Sequence, residues 1–148
     1  METVDDLLRR YAAGERDFDD LDLRGAQLAN SVLNGANLRG ADLRGAILNA
    51  TSLWGSDLAR AYLEGASLRG ADLRRARLVG ANLQAADLSD ALLVGADLRG
   101  AILRGANLSQ ANLYCAQLSP LQWRVALEAG ARVYDPALGQ GRYALSAR

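Results

Sequence analysis

Ala36-Asn37-Leu38-Arg39-Gly40-Ala41-Asp42-Leu43-Arg44-Gly45 says one five-residue phrase twice: a small residue, a polar residue, leucine, a polar residue, glycine. The phrase is repeated in twenty-one copies between Arg16 and Pro120, centred on Phe18 and then on a leucine at every fifth position from Leu23 to Leu118. Two residues before each leucine, from Ala26 to Ala116, stands alanine, broken only by Ser31, Thr51 and Ser56. Two residues after the centre, glycine fills eleven of the twenty-one copies. On an α-helix a step of five residues turns through about 500°, so the leucines would spiral around the axis. On one long strand an odd step would send successive leucines to opposite faces. The period is satisfied by a backbone that turns a corner every five residues. Leucine and the small residue then point inward, the two residues flanking leucine point outward, and glycine relaxes the corner. One such coil buries almost nothing, so its turns must stack.

The unbroken tandem of Ala-(Asp/Asn)-Leu-x-Gly, over about 105 of the 148 residues, resembles the pentapeptide repeat family. That resemblance implies an all-β solenoid, a right-handed quadrilateral β-helix with four pentapeptides per coil. Twenty-one repeats would then make about five coils, a rod roughly 25 Å long at about 4.8 Å per coil. The chain divides into an N-terminal capping helix (1–15), the repeat region (16–120) and a C-terminal helix with its tail (121–148), all within one domain.

The ends have their own signals. Residues 3–14 read as a helix with Thr3 as N-cap and Asp6 three residues on. Val4, Leu7, Leu8 and Tyr11 form one apolar stripe, Asp5–Arg9 and Asp6–Arg10 are expected pairs, and Gly14 is the stop. Such a helix would cover the open strand edges of the first coil. Arg16 and Leu21 replace the small residue in the first repeats, which suits a wider first coil that accepts the helix. Ser119-Pro120 opens a second helix, which ends near Ala129 before Gly130. Leu121, Trp123, Val125, Ala126, Leu127 and Ala129 cover most of its circumference, leaving Gln122, Arg124 and Glu128 as its polar remainder. This helix therefore has two surfaces to meet, for which the tail 131–148 and a second subunit are the candidates.

With four repeats per coil, every fourth repeat stacks. The side of Leu33, Leu53, Leu73, Leu93 and Leu113 carries Val32, Trp54, Leu92, Val94 and Tyr114 outward and is the most apolar. Trp54, Leu92, Val94, Tyr114 and, on the helix, Trp123 are the candidate interaction residues. A protein partner fits this surface. So does a homodimer through the C-terminal segment or the Trp54–Tyr114 side, while a tail folded over the side is the rival.

Composition excludes much chemistry. There is no histidine, hence no Ser-His-Asp or Cys-His arrangement and no imidazole ligand. The glycines sit at corners and form no phosphate-cradling loop. The lone Cys115 has no neighbour in sequence to make it a thiolate. Asp17, Asp19, Asp20 and Asp22 admit a cation site, but a solvated turn beside Arg16 and Arg24 is the plainer reading. No enzyme, cofactor or resident metal is expected. The basic residues are all arginine, seventeen of them against seventeen acidic residues, so net charge is zero. Such arginines would also pair with Asp across stacked coils. Some pentapeptide repeat proteins imitate duplex DNA at a topoisomerase, and the resemblance brings that alternative with it. It needs excess carboxylates, whereas residues 16–120 hold eleven acidic residues and eleven arginines. No basic stripe suggests nucleic-acid binding. The chain lacks an apolar run long enough for a membrane span, its first residues do not read as a signal peptide, and a cytoplasmic location is expected.

Overall fold

Every fifth residue from Asp17 to Asp97 bridges to the residue twenty further on, always in parallel. The computed structural model describes residues 2–132 and holds two helices, α1 (Val4–Ala12) and α2 (Pro120–Glu128). Between them run four parallel ladders of single-residue bridges. One runs Asp17, Asn37, Asp57, Arg77, Asp97, Gln117. The other three start at Asp22, Gln27 and Val32. A coil is therefore four pentapeptides, and each face is named below by one of its leucines.

The hydrogen bonds explain the wording of the repeat. In Ala41–Gly45, Asp42 N donates to Leu21 O at 2.8 Å in the preceding coil. Leu43 N and Gly45 N donate to Tyr62 O at 2.7 Å and Glu64 O at 3.1 Å in the following one. Ala41 N closes the corner on Leu38 O at 3.1 Å. One donor remains, Arg44 N, and Asp42 Oδ1 accepts it at 3.3 Å. The Asp/Asn before leucine thus completes the backbone bonding of its own repeat. The same bond forms at every Asp or Asn in that position from Asp22 to Asn112. Where serine stands there, an asparagine one coil back substitutes: Asn34 Oδ1 accepts from Ser52 Oγ at 2.6 Å and Trp54 N at 2.9 Å.

The central leucines from Leu23 to Leu113 are buried, and the alanines before them are buried from Ala36 to Ala111. The two hydroxyls among those small residues have partners, Thr51 on Leu28 O and Ser56 on Leu53 O, both at 2.7 Å. At the corners every position from Asp20 to Cys115 has positive φ, nine of them without glycine. Each such residue costs roughly 1 kcal/mol. Gly40 is held by a second constraint, since a Cβ there would strike Asp20 Oδ1 draped over it from the coil before. Arg60 leans over Gly80 in the same manner.

α1 has the capping box that Thr3 and Asp6 suggested. Leu7 is fully buried, Val4, Leu8 and Tyr11 pack on the core, and Tyr11 Oη donates to Asn34 O at 2.8 Å. The expected i,i+4 pairs are replaced. Arg9 pairs with Asp6, and Arg10 reaches Glu2 and Glu15 while its guanidinium lies 4.9 Å from the Phe18 ring centre. Arg16, in a small-residue position, lies outside and stacks on Tyr11 at 3.8 Å.

In α2 the polar remainder is wrong for Gln122, which is buried together with Ala126. Its Nε2 donates to Leu98 O at 2.5 Å and Ala101 O at 2.9 Å. In the regular coils the carbonyl equivalent to Ala101 O receives a backbone N–H twenty-one residues on, as Ala81 O does from Ile102 N. The glutamine amide stands in for that missing N–H. After α2 the chain rejoins the ladder, Arg132 N on Ala111 O and Leu113 N on Arg132 O, both at 2.7 Å. The twenty-residue register thus survives the helix.

Candidate interaction surface

The Leu73 face presents two outward columns, one on each side of its leucines. Val32, Ser52, Asp72, Leu92 and Asn112 stand in the first, bridged in that order. Asn34, Trp54, Arg74, Val94 and Tyr114 stand in the second by register. Val32 is 54% exposed, Trp54 47%, Tyr114 44% and Leu92 38%. Val94 is half-buried. The ladders therefore stack four of the five candidate residues, Trp54, Leu92, Val94 and Tyr114, on one face. Trp123 belongs elsewhere: it lies half-buried on α2 against the core. The large apolar residue that this helix exposes is Leu121, at 70%. Residues 133–148, most of the tail 131–148 that is the rival cover for this face, lie outside the described residues.

Apolar side chains here are a departure from the bonding rule. Val32 and Leu92 occupy the position where Asp or Asn would accept the N–H of Asn34 or Val94. The neighbouring Leu63 face makes the same exchange at Tyr62 and Ile102, but intersperses Asp22, Asp42, Glu64 and Arg104. The Leu73 patch is itself divided. Asp72 and Arg74 cross its middle as a bidentate fork, Nε on Oδ1 at 2.8 Å and Nη2 on Oδ2 at 2.7 Å.

That fork recurs within single repeats at Asp22–Arg24, Asp42–Arg44 and Asp97–Arg99. The principal pairing is inside the pentapeptide, where cross-coil pairing was expected. Across coils Asp57 lies 3.3 Å from Arg39 and 3.5 Å from Arg77. The Arg24 side chain and its backbone N–H hold the Asp22 carboxyl down at about 2, and Asp42, Asp72 and Asp97 are lowered for the same reason. These are the reverse of shifts that make a general acid.

The Asp17–Asp22 cluster disperses. Asp17 accepts from Asn37 Nδ2 at 2.7 Å, Asp20 lies over Gly40, and Asp22 holds Arg24. Among the described residues no three metal-ligating side chains converge. Asp19, Asp20, Arg39, Arg60 and Tyr62 line a shallow, polar groove at this corner. Cys115 is exposed at a corner with φ of 58°. No helix of the described residues is long and apolar enough to cross a membrane.

Comparison with known proteins agrees with the repeat reading. A solved pentapeptide repeat protein from the Arabidopsis thaliana thylakoid lumen is 32% identical, covering 71% of this chain and 76% of its own, with a TM-score of 0.56. HetL, a pentapeptide repeat protein involved in heterocyst differentiation regulation in Nostoc sp. strain PCC 7120, is 40% identical over 78% of this chain and 53% of its own, with a TM-score of 0.32. The pentapeptide repeat protein Rfr23 of Cyanothece 51142 is 25% identical over 85% and 92%, with a TM-score of 0.47. No curated protein matches the chain. The family model for pentapeptide repeats matches residues 17–55, 56–93 and 91–119 in eight copies, and the chain belongs to that family, whose fold is the quadrilateral β-helix.

Proposed function

We propose that this chain is a non-enzymatic binding rod that engages a protein through its Leu73 face. In this reading the rod has about five coils, roughly 25 Å of stacked strand, and is closed by α1 at one end and α2 at the other. The observation that carries the function is the break in the bonding rule at Val32 and Leu92, beside exposed Trp54 and Tyr114. Each apolar substitution gives up an acceptor for a backbone N–H, and its exposed part returns nothing to rod stability. Contact with a partner supplies the missing benefit. Aromatic anchors on a rigid lattice lose little freedom on binding.

The topoisomerase DNA-mimic alternative is disfavoured. It requires carboxylates free to act as phosphates, and four of those in the repeats are forked to their own arginines.

The test is chemical cross-linking in the native cell followed by affinity capture, so that weak contacts with another protein or with a second copy are both retained, using wild type, Trp54→Arg, Leu92→Asp and the Leu68-face control Arg69→Ala. A stoichiometric protein should be kept by wild type and Arg69→Ala and lost by the other two. Its retention by Trp54→Arg and Leu92→Asp would refute the assignment of this face.

A further inference from the structure

The Leu73 face matches its own image. A two-fold axis running along the rod, in the plane of the face, exchanges the two outward columns and keeps every rung at its own level. Asp72 of one copy then meets Arg74 of the other, twice. Leu92 meets Val94 twice. Trp54 meets Ser52, Tyr114 meets Asn112, and Val32 meets Asn34. No like charges oppose each other, and the apolar side chains of the fourth rung meet one another. The antiparallel alternative keeps the columns and reverses the rungs, which sets Asp72 on Asp72 and Arg74 on Arg74. The Phe18 face fails the column exchange because Asp17 would meet Asp19. The Leu63 face would bury Tyr62 against Glu64 and Ile102 against Arg104.

We infer that the partner of this face is a second copy of the chain, held parallel and side by side about that axis; this rests on the binding-face reading above. The fork has a part in it. Two forks facing each other with columns exchanged form a closed set of four alternating charges, which fixes level and orientation more than it adds affinity. The area limits the strength. Five rungs span about 20 Å and one face is about 10 Å wide, a few hundred Å² against the roughly 800 Å² per partner of a standard interface. The dimer therefore forms at high protein concentration.

Two measurements test it on the full chain, with Cys115→Ala as background for the second. In sedimentation equilibrium at several hundred micromolar, wild type should be a monomer–dimer mixture of a 15.8 kDa chain. Asp72→Arg should weaken it by about tenfold or more through facing like charges, and the swap Asp72→Arg/Arg74→Asp should restore it. Circular dichroism melting confirms that each variant is folded. In mild oxidation, Leu92→Cys chains mixed with Val94→Cys chains should cross-link faster than either alone. A wild-type monomer at this concentration, a charge swap no better than Asp72→Arg, or equal cross-linking in all mixtures would overturn the dimer. Faster cross-linking of Ser52→Cys with Leu92→Cys would also overturn it, in favour of antiparallel pairing. A monomer whose Trp54→Arg variant loses a different protein would remove the dimer and leave the binding face standing.

Discussion

Replacing Gln122 with leucine tests how α2 is held to the last coils. The substitution nearly conserves volume and removes three hydrogen bonds: Nε2 to Leu98 O at 2.5 Å, Nε2 to Ala101 O at 2.9 Å, and Ser119 N to Oε1 at 2.8 Å. They are not equal. Leu98 O keeps the corner bond from Ala101 N at 3.0 Å, and Ser119 is half-buried within reach of water. Ala101 O loses the one partner assigned to it, beneath a side chain only 7% exposed. Orphaning that carbonyl costs about 1–3 kcal/mol and the remaining bonds about 1 kcal/mol more, partly offset by the apolar gain. We expect a net loss of about 1–3 kcal/mol, or a melting temperature lower by roughly 3–10 °C. Urea unfolding followed by circular dichroism measures it, and faster hydrogen exchange within residues 120–128 localises it. Arg124→Ala, on the exposed side of α2, should stay within about 0.5 kcal/mol of wild type. If Gln122→Leu did the same, the amide would not hold the helix down, and the apolar contacts of Ala126 and its neighbours would.

Leu73 is fully buried, so Leu73→Asp should cost several kcal/mol and unfold a rod of ordinary stability, whereas Arg74→Ala, outward and exposed, should change the melting point little; similar melting points would refute the inward and outward assignment. Gly40→Ala should destabilise more than Gly70→Ala, since both have positive φ but only the first Cβ meets Asp20; equal losses in thermal melts would mean that Asp20 swings away freely. The depressed carboxyl of Asp22 contributes stability above its unfolded value near 3.8, lost as pH falls toward its folded value of about 2. With no histidine to titrate, melting temperature should be flat from about pH 5 to 8 and fall between about pH 4 and 2; a step near neutral pH would contradict this.

What was legible in the sequence was whatever a single residue type enforces. A buried leucine every five residues admits few backbones, and Thr3 with Asp6 or Ser119 with Pro120 states a helix start on its own terms. What was illegible depends on partners twenty residues away or on a choice among equivalent donors. Gln122 reads as the polar side of α2, because nothing local reveals that Ala101 O lacks its usual N–H. Trp123 reads as an anchor because of its size, yet α2 turns it against the core. Arg9 could reach Asp5 or Asp6, and the capping box that already fixes Asp6 selects the second. One signal was there to be read: Ala131 follows Ala111 by twenty residues, so the register continues beyond α2.

The Asp/Asn before each leucine alters how charge on such a rod should be judged. A carboxylate placed there accepts a backbone N–H and, when arginine follows the leucine, a guanidinium too. Asp22, Asp42, Asp72 and Asp97 do both. To an approaching partner each is closer to a small dipole than to a negative charge, and its field falls away faster with distance. Counting acidic residues therefore overstates the potential that these repeats project, even before arginine is subtracted. The informative positions are those where the rule is broken, because there the backbone has given up an acceptor. On the Leu73 face the breaks are Val32 and Leu92, and they lie to either side of a fork that keeps the rule. A partner that met only apolar surface would leave that fork buried and unmatched, at a desolvation cost. Only a surface with its own opposed pair at that height avoids the cost, and the face itself is one such surface.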